Sequence, residues 1–144
     1  MDAGPQPALD VVASMTAEAL AVPSAAVSLL GSDVQLLVGC TPGPEAVERR
    51  QPLGQSICKY TVVSGIPFIV DNATTHPLLA DHPAVLSGEV CAYAGIPLFG
   101  GDDQAIGTLC VWDHRPRLWT RGQHMVLHDM ADVAAAKIFR WSTG

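Results

Sequence analysis

Residues 96–99 (IPLF) and 106–112 (IGTLCVW) are two apolar runs separated by little more than the turn Gly100-Gly101-Asp102-Asp103. Runs joined by so short a connection must lie antiparallel, because a parallel crossover needs about a dozen residues or more. Residues 25–30 (AAVSLL) and 34–39 (VQLLVG) repeat the arrangement around Gly31-Ser32-Asp33. A shorter run, residues 67–73 (PFIVDNA), closes on turn formers. The chain is therefore built on an antiparallel sheet and not on a doubly wound parallel one.

Helical signals surround these strands. Leu9, Val12, Ala13, Thr16, Ala19 and Leu20 recur on one helical face, and Pro23 ends the segment. Residues 53–64 form a second candidate helix, with Leu53, Ile57 and Thr61 on one stripe and Cys58 and Val62 on the next; Gly65 stops it, with Pro67 close behind. Residues 74–89 (TTHPLLADHPAVLSGE) hold two proline-started half-helices, each too short to stand alone and suited to cover something. Thr120 and Gln123 make a capping box for a last helix over residues 121–139, whose inner face carries Leu127, Ala131, Ala134 and Ile138. Val126, Met130 and Val133 widen that apolar surface. Residues 40–52, with three prolines, form a loop holding a short helical turn near 45–49. The fold class is α+β, with both terminal helices side by side on one sheet face and the middle helices over the other.

A length of 144 residues suits one domain, and 49% hydrophobic against 15% charged residues excludes a disordered tail. The net charge of −6, with eight Lys and Arg in all, argues against a nucleic-acid grip. Arg115, Arg117 and Arg121 read as solvated loop charge rather than a phosphate site. Cys40, Cys58, Cys91 and Cys110 contain no C-x-x-C pair, and three lie in apolar stretches as buried cytosolic thiols do. No apolar run approaches the ~18 residues of a membrane span, and "MDAGPQPALD" lacks the features of a signal peptide. The expected location is the cytoplasm.

Strand alternation puts Ile106, Thr108, Cys110 and Trp112 on one face, with Gly107, Leu109 and Val111 toward the terminal helices. The first set mixes hydroxyl, thiol and aromatic groups. Such a set is either a satisfied core or the floor of a small-molecule cavity. On the neighbouring run Tyr93, Gly95 and Pro97 alternate against Ala94, Ile96 and Leu98, and a buried Tyr93 needs a partner for its hydroxyl. Asp71, Asp81, Asp113 and Asp129 form no acid/base pair by spacing, His124 and His128 lack a third metal ligand, and no nucleophile or phosphate-loop motif occurs. The expectation is that the chain is not an enzyme. The sequence identifies no cofactor.

The order "QPLGQSICKYTVVSGIPFIVDNATTHPLLADHPAV", then "CAYAGIPLFGGDDQAIGTLCVWDHRPRLWT", resembles a GAF domain, and more narrowly the bacterial, actinobacterial-type sensory GAF modules. Gly65, Pro67, Asp71, Pro77, Pro83, Gly95, Pro97, Leu98, Gly107, Leu109, Cys110 and Asp113 fall on that pattern. The resemblance implies a PAS-like domain over residues 8–139, between a disordered tail at 1–7 and a short tail at 140–144. It implies a central antiparallel sheet of five or six strands, a cavity under the middle helices and homodimer pairing through the terminal ones. Within the last helix, Leu127 and Met130 are the expected contacts. Family members bind cyclic nucleotides, haem, bilins, flavonoids, amino acids or anions, and most signal to an output domain or partner protein.

Departures narrow these options. No cysteine is followed by His, as in bilin binders, and no motif selects His76 or His82 for haem. In the branch that reduces free methionine sulfoxide, Cys58 matches one cysteine, but Glu48 and the region of His82 stand where two others belong. The reading is a non-catalytic sensory module whose ligand contacts Cys58, Asp71, His82, Tyr93, Thr108 and Cys110. The alternatives are a cysteine redox sensor or reductase, and a structural dimerisation module with no ligand.

Overall fold

The computed structural model describes residues 7–30, 34–41, 50–52, 57–99 and 104–143. In chain order the elements are α1 (Pro7–Leu20), β1 (Ser24–Leu30), β2 (Val34–Cys40), β3 (Arg50–Pro52), α2 (Cys58–Ser64), β4 (Phe68–Val70), α3 (Pro83–Leu86), β5 (Ala92–Phe99), β6 (Ala105–Asp113) and α4 (Arg121–Thr143), with a 3-10 turn at Ala73–Thr75 before α3. Six strands form one antiparallel sheet in the order β3-β2-β1-β6-β5-β4. The two expected turns at 31–33 and 100–103, the helical turn at 45–49 and residues 53–56 lie outside the described residues.

The sheet separates two cores. On one face α1 and α4 cover Val27, Val38, Ile96, Leu98, Leu109 and Val111. On the other, α2 and the turns through α3 cover Ala26, Leu37, Tyr93 and Cys110 with Ile57, Cys58, Leu79 and Val85. Alternation along β5 and β6 produces this division, each strand giving its aliphatic set to the terminal helices. Ile106 is an exception. Phe99 pairs with Ala105 and Leu98 with Gly107, so Ile106 is the extra residue of a bulge and packs with the terminal-helix core instead of with Thr108 and Cys110.

Gly39 sets the seat of α1. A Cβ there would collide with the Leu9 main chain, and the Asp10 carboxylate accepts the neighbouring Cys40 N–H at 2.9 Å. The buried face of α1 holds Ala17 in place of the expected Ala19, which faces outward. Thr120 and Gln123 do form both halves of a capping box, and Gly65 ends α2 with its N–H on the Thr61 carbonyl. The last helix runs to Thr143, beyond the expected end at 139. Leu127 is fully buried against the sheet and is not available for pairing, while Met130 is half-buried. The more exposed apolar residues on these helices are Val11 and Met15 on α1 and Met125 and Val133 on α4. No helix among the described residues is long and apolar enough to cross a membrane.

Candidate functional site

The second core contains the polar groups. Cys58 opens α2 and Cys110 lies mid-way along β6, and their Sγ atoms are 3.7 Å apart, with the Cys58 thiol donating. The Cys110 thiol donates to the Ala26 carbonyl at 3.6 Å. Tyr93, on β5, brings its hydroxyl 3.2 Å from Cys58 Sγ. With the Cys58 proton committed to Cys110, Tyr93 is the donor in that contact. A buried chain of hydrogen bonds thus runs from Tyr93 through two thiols to β1.

Burial pushes the Tyr93 hydroxyl well above its ordinary pKa, and the nearby thiols add to the effect. The hydrogen bond shared with Cys58, followed by burial, holds the Cys110 thiol well above its own. Both groups stay protonated at neutral pH. A nucleophilic cysteine needs the reverse shift and access to solvent, so this pair is built as a packed, neutral network.

Thr108 and Thr61 stand beside it around Gly95. A Cβ on Gly95 would be 2.9 Å from Thr61 Oγ1 and 3.1 Å from both Thr108 Cγ2 and Tyr93 Cε1. Both threonines are fully buried, and neither hydroxyl has a hydrogen-bond partner among the described residues. Ser28, opposite Thr108 on β1, donates to the Thr108 carbonyl at 3.4 Å and leaves the Thr108 hydroxyl unaddressed. Buried hydroxyls without partners are uncommon and mark a place where water or ligand atoms belong.

Of the six residues expected from sequence, the structure brings together Cys58, Tyr93, Thr108 and Cys110. Asp71 and His82 stand apart from them. The Asp71 side chain is exposed just after β4, and His82 uses Nδ1 to accept the Ala84 N–H at 3.0 Å as the N-cap of α3. His76 uses Nδ1 likewise for the Leu78 N–H and packs edge-on to Phe68. Thr61 and Ser28 were not singled out as site residues. Their signal was a hydroxyl at an inward position of an otherwise apolar stripe: Thr61 four residues after Ile57, and Ser28 within AAVSLL.

The basic cluster is also not what its composition suggests. Arg115 and Arg121 are exposed, but the Arg117 side chain is only 21% exposed and binds Asp113 at 3.3 Å. It is an internal clamp and no part of a phosphate site. Among the described residues no three His, Cys, Asp or Glu side chains converge as a metal site.

A sheet of this order with helices on both faces can be compared with known proteins. Residues 4–138 match the GAF domain family, and the chain belongs to that family. Over 71 residues it is 38% identical to a cyclic di-GMP phosphodiesterase of Pseudomonas aeruginosa, a match spanning 48% of this chain and 12% of that protein. The cyanobacteriochrome receptor PixJ superposes with a TM-score of 0.73 at 17% identity, covering 92% of this chain and 93% of that one. The free methionine-R-sulfoxide reductase of Neisseria meningitidis superposes with a TM-score of 0.69 at 23% identity, covering 89% and 74%. At these identities the two structures establish the fold.

Proposed function

We propose that the chain is a non-catalytic regulatory GAF module of the bacterial sensory type that acts in the cytoplasm. It binds a small ligand in the layer between the sheet and α2–α3 and signals through paired terminal helices to an output domain or partner. The observation that carries this reading is the pair of unpartnered, fully buried hydroxyls of Thr61 and Thr108 beside the Tyr93–Cys58–Cys110 chain. A core maintained only for stability would satisfy or omit them, because each costs about 1–3 kcal/mol. The same side chains crowd Gly95, so a ligand enters by displacing them. Ligand binding then selects a second packing of this layer. The naming of PixJ as a receptor agrees with the reading, as does the phosphodiesterase relative, in which the matched stretch is a small part of a longer chain.

A thermal-shift panel of nucleotides, haem, amino acids and anions tests it. A ligand present at about 100 times its Kd stabilises the fold by about 2.7 kcal/mol. A panel without any shift favours the structural module. One observation favours a redox reading, the 3.7 Å approach of Cys58 and Cys110. The burial of both thiols and the raised proton affinity of Cys110 oppose it, and thiols that titrate with peroxide in the native protein would restore it.

A further inference from the structure

Between β6 and α4, residues 114–120 (HRPRLWT) bond both to the end of β4 and to the end of α1. At the end of β4, the Arg117 N–H donates to the Asp71 carbonyl at 3.1 Å, and Trp119 Nε1 donates to the Val70 carbonyl at 3.0 Å. Val70 is the cross-strand partner of Tyr93, the residue that heads the thiol chain. The Asp113 carbonyl accepts the Cys91 N–H at 2.8 Å, just where the chain leaves α3 for β5.

On the helix side the same arginine closes the end of α1. Val22 N–H bonds to the Ala17 carbonyl at 3.0 Å and Ala21 N–H to the Glu18 carbonyl at 3.2 Å, which is a Schellman ending. Ala21 stands at φ +55, in the left-handed region that glycine usually occupies there. This geometry leaves the Leu20 and Ala21 carbonyls outside the helical ladder. Arg117 takes both, with Nη2 on Leu20 O at 3.2 Å and Nη1 on Ala21 O at 3.3 Å. The Asp113 carboxylate holds Nη1 at 3.3 Å, and the guanidinium lies over the Trp119 ring at 5.0 Å. Gln123, already part of the α4 capping box, also reaches Leu20 O at 3.5 Å. A cation at a helix C-terminus is favoured by the helix dipole as well.

We propose that residues 113–120 are the link by which a rearrangement of the pocket layer resets the adjoining ends of α1 and α4, with Arg117 as its positioning residue. Tyr93 moves Val70, its neighbour in the sheet. Val70 and Asp71 carry Trp119 and the Arg117 main chain with them. The guanidinium then shifts the carbonyls that define the end of α1, against a backbone conformation that alanine adopts at a cost. The proposal rests on the pocket layer being the responsive part of the molecule, but it requires no particular ligand.

The test uses the whole chain and NMR amide shifts. Tyr93→Phe, which removes the hydroxyl from the thiol chain, is expected to move the amide signals of Leu20, Ala21, Val22 and Gln123. In an Arg117→Gln background the same substitution should move them on the order of threefold less. A merely structural Arg117 would change these signals by itself and leave the response to Tyr93→Phe undiminished. An undiminished response overturns the proposal, and so does a chain with native Arg117 in which Tyr93→Phe moves none of them. Should Arg117→Gln not fold, Trp119→Phe removes the bond to Val70 while keeping an aromatic ring under Arg117, and carries the same expectation. No ligand enters the experiment, so its failure leaves the binding reading intact, and a panel without a binder leaves the link intact.

Discussion

Thr108 is fully buried and its hydroxyl has no partner among the described residues, whereas the equally buried Thr16 donates to the Val12 carbonyl at 2.7 Å. The two threonines should therefore answer the same substitution differently. Thr108→Val removes an unsatisfied group at nearly constant shape and is expected to stabilise the unliganded chain by about 1 kcal/mol, read as a higher urea midpoint. Thr16→Val deletes a made bond and should bring no such gain. The thiols supply a second expectation. Below the ordinary thiol pKa, folded and unfolded chains both keep the Cys110 proton. Above about pH 8.5 the unfolded chain releases protons that the folded chain holds, so stability falls by about 1.4 kcal/mol per pH unit for each retained proton. Denaturation midpoints between pH 7 and 10.5 should show this fall, with a shallower slope in Cys110→Ala. At this scale the sequence was informative where alternation put a hydroxyl or thiol among aliphatics, as at Thr108, Cys110 and Tyr93. It was uninformative for Asp71 and His82. Both sit at element ends, where the direction of a side chain depends on the turn around it.

Elements were legible when their signals were local. The Thr120–Gln123 capping box and the Gly65 stop each depend on residues a few positions apart, and both formed as read. Bulges and helix rotations were not legible, because a partner decides them. Ile106 leaves the alternation only because β5 and β6 lose register at Leu98 and Phe99. Ala17 and Ala19 are the same residue type, and the seat of α1 over Gly39 chooses between them. The end of α1 was assigned to Pro23, yet Ala21 makes the turn and Arg117, almost a hundred residues away, secures it. Ala21→Gly places the residue suited to φ +55 there and should stabilise the fold by about 1 kcal/mol in chemical denaturation. A lower midpoint would show that the alanine side chain contributes packing greater than its backbone cost.

Across the whole molecule, the two-faced sheet follows from the composition of alternate positions and the layer order from the amphipathic terminal helices, while the likeness to GAF domains added the number of strands. The same architecture determines which residues can pair two copies. Leu127 belongs to the core, and charging it should unfold the chain. Val11 and Met15 are 57% and 54% exposed on the outward side of α1, flanked by exposed Ala8 and Ala19. Val11→Glu with Met15→Glu should therefore leave the fold intact and shift a dimer to monomer in sedimentation. A dimer that survives the double change places the interface elsewhere.

The layer between the sheet and α2–α3 is claimed as the place where this module senses its ligand, and Gly95 is its most sensitive point. A calorimetric titration of the panel compound with the largest thermal shift, into the native chain and into Gly95→Ala, tests that claim most directly. The added methyl group would press on Thr61, Thr108 and Tyr93 together. The expected result is an affinity lowered by about tenfold or more in Gly95→Ala, equivalent to about 1.4 kcal/mol, with the chain still folded. Equal affinity in the two chains would contradict the claim and move the ligand out of this layer.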